Sequence, residues 1–254
     1  MSQITPAGAS RLLLEIAYDG AAFHGYQTQP NQRTVQGVLQ SVVENVLLQK
    51  CLLSGCGRTD TGVHARQFFC TIELEQPSCV PVEKLAQVLG SHLPGDISIK
   101  SAIEVDGSFH VRYNVVCKEY EYVILNAAAP CPFMDKRAWH IPRSLDVVKM
   151  QQAAQALVGR HDFTSFCASA SFVEDKVRTI EHILVQRDGE LIKVQVAGDG
   201  FLYNMVRIIV GTLVNVSDGR FEVGEMRAIL ESCDRTRAGM TAPPDGLYLN
   251  WVKY

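Results

Sequence analysis

Residues 54 to 67 read SGCGRTDTGVHARQ and bring Arg58, Asp60, His64 and Arg66 together between two apolar runs. Arg58 and Asp60 stand two apart, so in extended backbone they leave the chain on the same side and can pair closely. A carboxyl group beside a guanidinium stays ionised at neutral pH. Such a group suits a nucleophile or an electrostatic stabiliser and makes a poor general acid. His64 has two readings, an acid or base in a reaction or a ring that fixes the loop by hydrogen bonds. With Arg66 it is also a candidate substrate contact. The plainer view of the stretch is a turn with a capping aspartate and a solvated arginine. Gly62, directly after Thr61, argues for more, because it lets the chain reverse without burying the acid.

A scaffold must hold these residues. RLLLEIAY (11–18) is apolar and of strand length. TVQGVLQSVVENVLLQK follows as a helix with Thr34 as N-cap and Val35, Val38, Leu39, Val42, Val43, Val46 and Leu47 on one face. A short strand near 52–56 leads into the Asp60 loop, and RQFFCTIEL (66–74) leads out of it. A helix from Pro81, the turn LPGD and the strand ISIKSAIE complete a βαββαβ order. The second half repeats it. VVCKEYEYVIL (115–125) reads as a strand, and a helix capped by Ser144 stops at Gly159. A hairpin turning at Asp188-Gly189, the helix LYNMVRIIVGTLVNV, an extra helix VGEMRAILESC and the strand GLYLNWVKY follow. The expected fold is α+β: two ferredoxin-like halves, 1–108 and 109–254, with sheets side by side and a cleft between them. The loop of Asp60 then lies at a sheet end, where side chains can face a cleft.

Composition narrows the classes. The chain has 254 residues, 47% of them hydrophobic, enough for a proper core. Its apolar runs are broken by Arg or Asn before they reach membrane-spanning length, and MSQITPAGASR lacks the pattern of a secretory signal. A cytoplasmic protein is expected, with no membrane partner. In that setting the cysteines at 51, 56, 70, 79, 117, 131, 167 and 233 are expected as free thiols. They form no CxxC pair and join no histidine cluster, so no metal is expected. The formal charge is −3, all of it arising before residue 111. That balance neither supports nor excludes a nucleic acid, since only a local basic face decides.

GRTDTGVHA closely resembles the signature of the tRNA pseudouridine synthase A family. Further blocks agree in order: YDGAAFHGYQTQPNQRTVQ, LPGDI, FHVRYNVVCKEYEY, DFTSF, GFLYNMVRIIVG and APPDGLYL. The resemblance implies the two-halved fold with an RNA-binding cleft between the halves, a homodimer whose cleft draws on both subunits, and isomerisation of uridine at positions 38, 39 and 40 of tRNA. Asp60 matches the aspartate on which the reaction depends. Arg58 matches the arginine that takes part in extruding the base, Tyr120 the tyrosine packed on the uracil, and Arg207 the basic residue paired with the catalytic carboxylate. Arg207 also stands among Met205, Val206, Ile208, Ile209 and Val210, where a guanidinium needs a partner. The uridine must be flipped out of its stack. The net change involves neither redox nor hydrolysis, so no cofactor is expected. Tyr26, Val111 and Asn204 depart from the usual Trp, Ala and His of the family and are expected to touch none of the four assigned residues.

Three other readings remain. A non-catalytic RNA-binding protein would share the ferredoxin-like units but leaves the four residues unexplained, and RQFFCTIEL lacks the base-stacking pattern of such a sheet. A hydrolase or phosphotransferase would need a P-loop or metal cluster, and the sequence has neither. The same chemistry on another RNA is the third.

Overall fold

The computed structural model describes residues 11–254, a mixture of five α-helices and mostly antiparallel strands. The reading of the N-terminal residues as lacking a signal lies outside the described residues except for Arg11. The chain divides into two compact units, one ending at Val115 and including Tyr254, the other Val116–Lys253.

The first unit contains β1 (Arg11–Tyr18), α1 (Val35–Leu47), β2 (Cys51–Gly55), β3 (His64–Leu74), α2 (Val82–Gly90) and β4 (Ile97–Glu104). Its strands lie in the order β4-β1-β3-β2, each antiparallel to its neighbour. Thr34 caps α1 by accepting from the Gly37 amide, as its sequence position predicts. Val35, Leu39, Val43 and Leu47, four apart, are buried, while Val38, Val42 and Val46 are half-buried on the flank of the same face. α1 packs against β2 and α2, and α2 against β4. Tyr18, the last residue of β1, lies opposite Ala65 at the start of β3 and Ile97 at the start of β4. The chain from Cys56 to Val63 therefore emerges at one end of this sheet.

The second unit contains β5 (Cys117–Leu125), β6 (Trp139–His140), α3 (Val147–Ala154), β7 (Gly159–Asp162), β8 (Val177–Asp188), β9 (Leu191–Gly198), α4 (Met205–Ser217), α5 (Glu225–Glu231) and β10 (Leu247–Lys253). Its main order is β10-β5-β9-β8-β7, antiparallel throughout, with β6 parallel to β5. Ile192, Val194 and Val196 of β9 are fully buried, opposite Ile124, Tyr122 and Tyr120. α4 is apolar around most of its surface and is the most deeply buried helix of the unit.

Several local expectations change. β3 begins at His64, two residues early. The cap of α3 is Asp146, whose Oδ1 accepts from the Lys149 amide; Ser144 does not serve. The chain is still extended there, because Leu145 is buried and its amide bonds to Asn126 Oδ1. α3 ends in a 3-10 turn at Gln155–Leu157, and Gly159, at φ +106°, opens β7, which periodicity does not announce. The β8–β9 turn uses Gly189 and Glu190, one residue later than expected, with Gly189 in the left-handed region.

Candidate active site

Thr59 decides how the loop between β2 and β3 presents its chemistry. It is buried, 7% exposed, and its Oγ1 lies 2.8 Å from the Tyr18 hydroxyl. Its neighbours Arg58 and Asp60 are exposed and half-buried respectively. Burial thus alternates along the three residues, with the threonine as the inward one. The closer Arg58–Asp60 pair is not formed: among the described residues the Arg58 guanidinium has no ion-pair partner.

Backbone hydrogen bonds brace the loop from the segment after β1. The Tyr26 amide donates to Thr59 O at 3.2 Å and the Gly62 amide to Phe23 O at 3.2 Å, while Val63 N closes back on Asp60 O at 3.1 Å. Gly20 is required by contact, since a Cβ there would stand 2.0 Å from Val63 O. Gly62 adopts φ +82°, which completes the reversal that its sequence position suggests.

His64 is 2% exposed, and its Nδ1 accepts from the Gly20 amide at 3.0 Å. That bond puts the proton of the neutral ring on Nε2. Asp19 Oδ1 lies 3.1 Å from the same Nδ1, but an ion pair there would require a proton on Nδ1 and would displace the Gly20 amide. The Gly20 bond is the one consistent with this geometry, and Asp19 Oδ1 has its own donor in the Ala21 amide. Of the two readings of His64, its position fits the ring that fixes the loop. Arg66 is exposed near the start of β3, its carbonyl accepting from Lys100 Nζ at 2.7 Å.

In the second unit Tyr120 lies on β5, half-buried, with the Phe201 ring edge-on at 5.0 Å and 84°. Tyr122, two residues on, is fully buried and donates to Pro243 O at 2.7 Å, so the second tyrosine of KEYEY is structural. Burial pushes its hydroxyl up, while the Arg207 charge acts in the opposite sense. Arg207 lies in the first turn of α4. Its Nε donates to Ala242 O at 2.7 Å and its Nη1 to Asn204 Oδ1 at 2.8 Å. Asn204 precedes the helix at φ +60°, a left-handed conformation that asparagine tolerates. The expectation that Asn204 touches no assigned residue is therefore incorrect: it holds the guanidinium of Arg207.

Sequence reasoning missed Tyr18, Thr59 and Phe201. The alternation that points Arg58 and Asp60 outward already required Thr59 to face inward. Nothing local pairs it with Tyr18, 41 residues away. The other two departures from the family pattern, Tyr26 and Val111, are both buried. Among the described residues no group of three or more His, Cys, Asp or Glu side chains is placed to hold a metal ion.

A family model described as tRNA pseudouridine synthase matches residues 16–114 and 153–254. The tRNA pseudouridine synthase A of Brevibacillus brevis is 48% identical over 96% of this chain and 99% of its own length. The protein of the same name from Thermoanaerobacter sp. is 42% identical over 96% and 99%, and that of Halalkalibacterium halodurans 45% over 93% and 90%. A solved structure, the crystal structure of a Cbf5-Nop10-Gar1 complex, shares 13% identity at a TM-score of 0.32 over 92% of this chain and 56% of that one, a likeness too low to support an inference.

Proposed function

The chain belongs to the tRNA pseudouridine synthase family, whose members are isomerases, and on that premise we propose that it converts uridine to pseudouridine in the anticodon stem-loop of tRNA, at positions 38, 39 and 40. Asp60 is the nucleophile. The observation that carries this reading is the braced loop, which holds a half-buried carboxylate and an exposed guanidinium on one fixed stretch of backbone.

The target base is flipped out at a cost of a few kcal/mol. Arg58, exposed and flat, fills the space it leaves. Asp60 adds to the ribose C1′ or to C6 of the ring. By either route the C1′–N1 bond breaks, the uracil rotates and C5 bonds to C1′, and the bond to Asp60 breaks to return the free carboxylate; C5 loses its proton and N1 gains one. Atoms and electrons balance without a cofactor. Tyr120 stacks on the extruded uracil and Arg207 serves the same reaction, the roles that the resemblance assigns them. His64 acts through the loop it pins, and Arg66 as a cationic contact for RNA.

The reading extends to the scaffold. In the first unit the fourth strand lies beside the first, then the third and second; β10, β5, β9 and β8 repeat that order in the second unit. This supports two ferredoxin-like halves, proposed as 1–108 with the Asp60 loop and 109–254 with Tyr120 and Arg207, whereas the compact units themselves divide between Val115 and Val116. A homodimer acting on tRNA in the cytoplasm completes the proposal.

The test is to incubate the protein with unmodified tRNA transcripts bearing uridine at 38, 39 or 40 and map pseudouridine by carbodiimide adducts and primer extension. Stops at these positions are expected. Stops elsewhere in the tRNA, or in another RNA alone, would overturn the assigned target.

A further inference from the structure

We infer that Tyr18 is a positioning residue for the reaction proposed above: through its hydrogen bond to Thr59 it fixes the backbone from which Arg58 and Asp60 project. The inference rests on that reading of the site.

The bond is well placed for this task. Both side chains are buried, Tyr18 at 5% and Thr59 at 7% exposure, and the two hydroxyl oxygens are 2.8 Å apart. Water competes poorly there, and either hydroxyl can donate. Tyr18 is itself held firmly. It ends β1 in the sheet, opposite Ala65 and Ile97, and its ring lies 5.8 Å from that of Phe68. Thr59 is β-branched, so its χ1 is stiff and a fixed Oγ1 fixes the direction of its Cα–Cβ bond. Its carbonyl is held separately by the Tyr26 amide at 3.2 Å. Side chain and peptide are thus anchored to different elements, and the residues on either side inherit their direction from both anchors. Gly25, at φ +82°, lets the bracing segment approach: a Cβ there would stand 2.5 Å from Thr59 O.

A bond that merely stabilises the fold and one that positions a nucleophile predict different kinetics. tRNA binding is spread over many phosphate contacts and tolerates a small shift of one loop. Attack by a carboxylate does not, since a displacement of about 1 Å can cost on the order of 100-fold in rate. Loss of the Tyr18 hydroxyl therefore acts on the chemical step and leaves affinity in place.

The experiment measures single-turnover tritium release from tRNA labelled at C5 of uridine, with tRNA affinity and thermal midpoint recorded in parallel. The variants are Tyr18→Phe, Thr59→Val, their double mutant and Thr59→Ser, with wild type and Asp60→Asn as references. Tyr18→Phe and Thr59→Val are each expected to lose about tenfold or more in rate with affinity within about twofold. The double mutant is expected to be no slower than the worse single one, because both remove the same bond. Thr59→Ser, which keeps the hydroxyl, should recover most of the rate lost in Thr59→Val. Thr59→Val probes the bond from the other side if Tyr18→Phe folds poorly. A folded Tyr18→Phe within about twofold of the wild-type rate, beside an inactive Asp60→Asn, would overturn the inference and leave the proposed reaction standing. So would additive losses in the double mutant, or a fall in affinity that matches the fall in rate. A folded wild type that releases no tritium would overturn both.

Discussion

The ring of Tyr26 packs 4.3 Å from that of Phe68, and Gly55 passes so close that a Cβ would stand 2.5 Å from the tyrosine ring. Its backbone braces Thr59, yet its hydroxyl is buried without a hydrogen-bond partner among the described residues. The Cys70 thiol beside it is a weak donor and acceptor and does not satisfy it, and burial holds the phenol well above its ordinary range. An unsatisfied buried hydroxyl costs about 1–3 kcal/mol, more than the loss of one small atom's packing. Tyr26→Phe should therefore stabilise the protein by about 1 kcal/mol, seen as a rise of about 2–4 °C in thermal midpoint; a fall would show that the hydroxyl finds a partner. Arg58→Ala tests a different property of the same loop. If the guanidinium occupies the space of the flipped base, the defect should be large on a paired target uridine and should shrink on an RNA whose target is already unpaired. An equal defect on both would count against that role. The shared side of Arg58 and Asp60 was legible from their spacing, and the same alternation could have placed Thr59 inward. The Tyr18 bond and the hold of Asn204 on Arg207 were not, since the first joins strands far apart in sequence and the second depends on a left-handed residue.

Elements with strong periodicity or a clear cap were readable. β1, α1 with its Thr34 cap, β4 and β10 fall where apolar pattern and turn residues put them. α3 was misjudged at both ends, because a serine and an aspartate two residues apart are equivalent caps on local grounds. Burial of Leu145 between them decides for Asp146. β6 and β7, two and four residues long, carry no period to detect and exist through their partners β5 and β8. α4 poses a question that propensity alone answers wrongly. Gly211 lies inside it, where alanine is favoured by about 1 kcal/mol. A Cβ at that position would, however, stand 1.9 Å from the Met240 carbonyl oxygen, a backbone atom that cannot simply rotate away. Overpacking of this kind costs about 1–3 kcal/mol and wins. Gly211→Ala should lower stability by about 1–2 kcal/mol in chemical denaturation and shift α4 relative to the 239–242 segment that accepts from Arg207. An unchanged or raised midpoint would show that the segment yields freely.

At the scale of the molecule, the −3 charge alone gives no hint of an RNA partner. Family membership supplies it, and a homodimer would let a near-neutral chain combine local basic faces into one large surface. Sedimentation at micromolar concentration should therefore show a dimer; a fully active monomer would remove that part of the proposal. No described helix is long and apolar enough to cross a membrane. The repeated strand order of the two units was legible from the succession of strand and helix patterns, although no residue-level similarity between the halves announced it. The central claim is that Asp60 performs the chemistry after the RNA is bound. Its most direct test is tritium release from C5-labelled tRNA by wild type and Asp60→Asn, with tRNA affinity measured on both. Release by the wild type alone, at affinities within a few fold, is the predicted result. Release by Asp60→Asn at a comparable rate would contradict the account, and so would an affinity loss large enough to explain its inactivity.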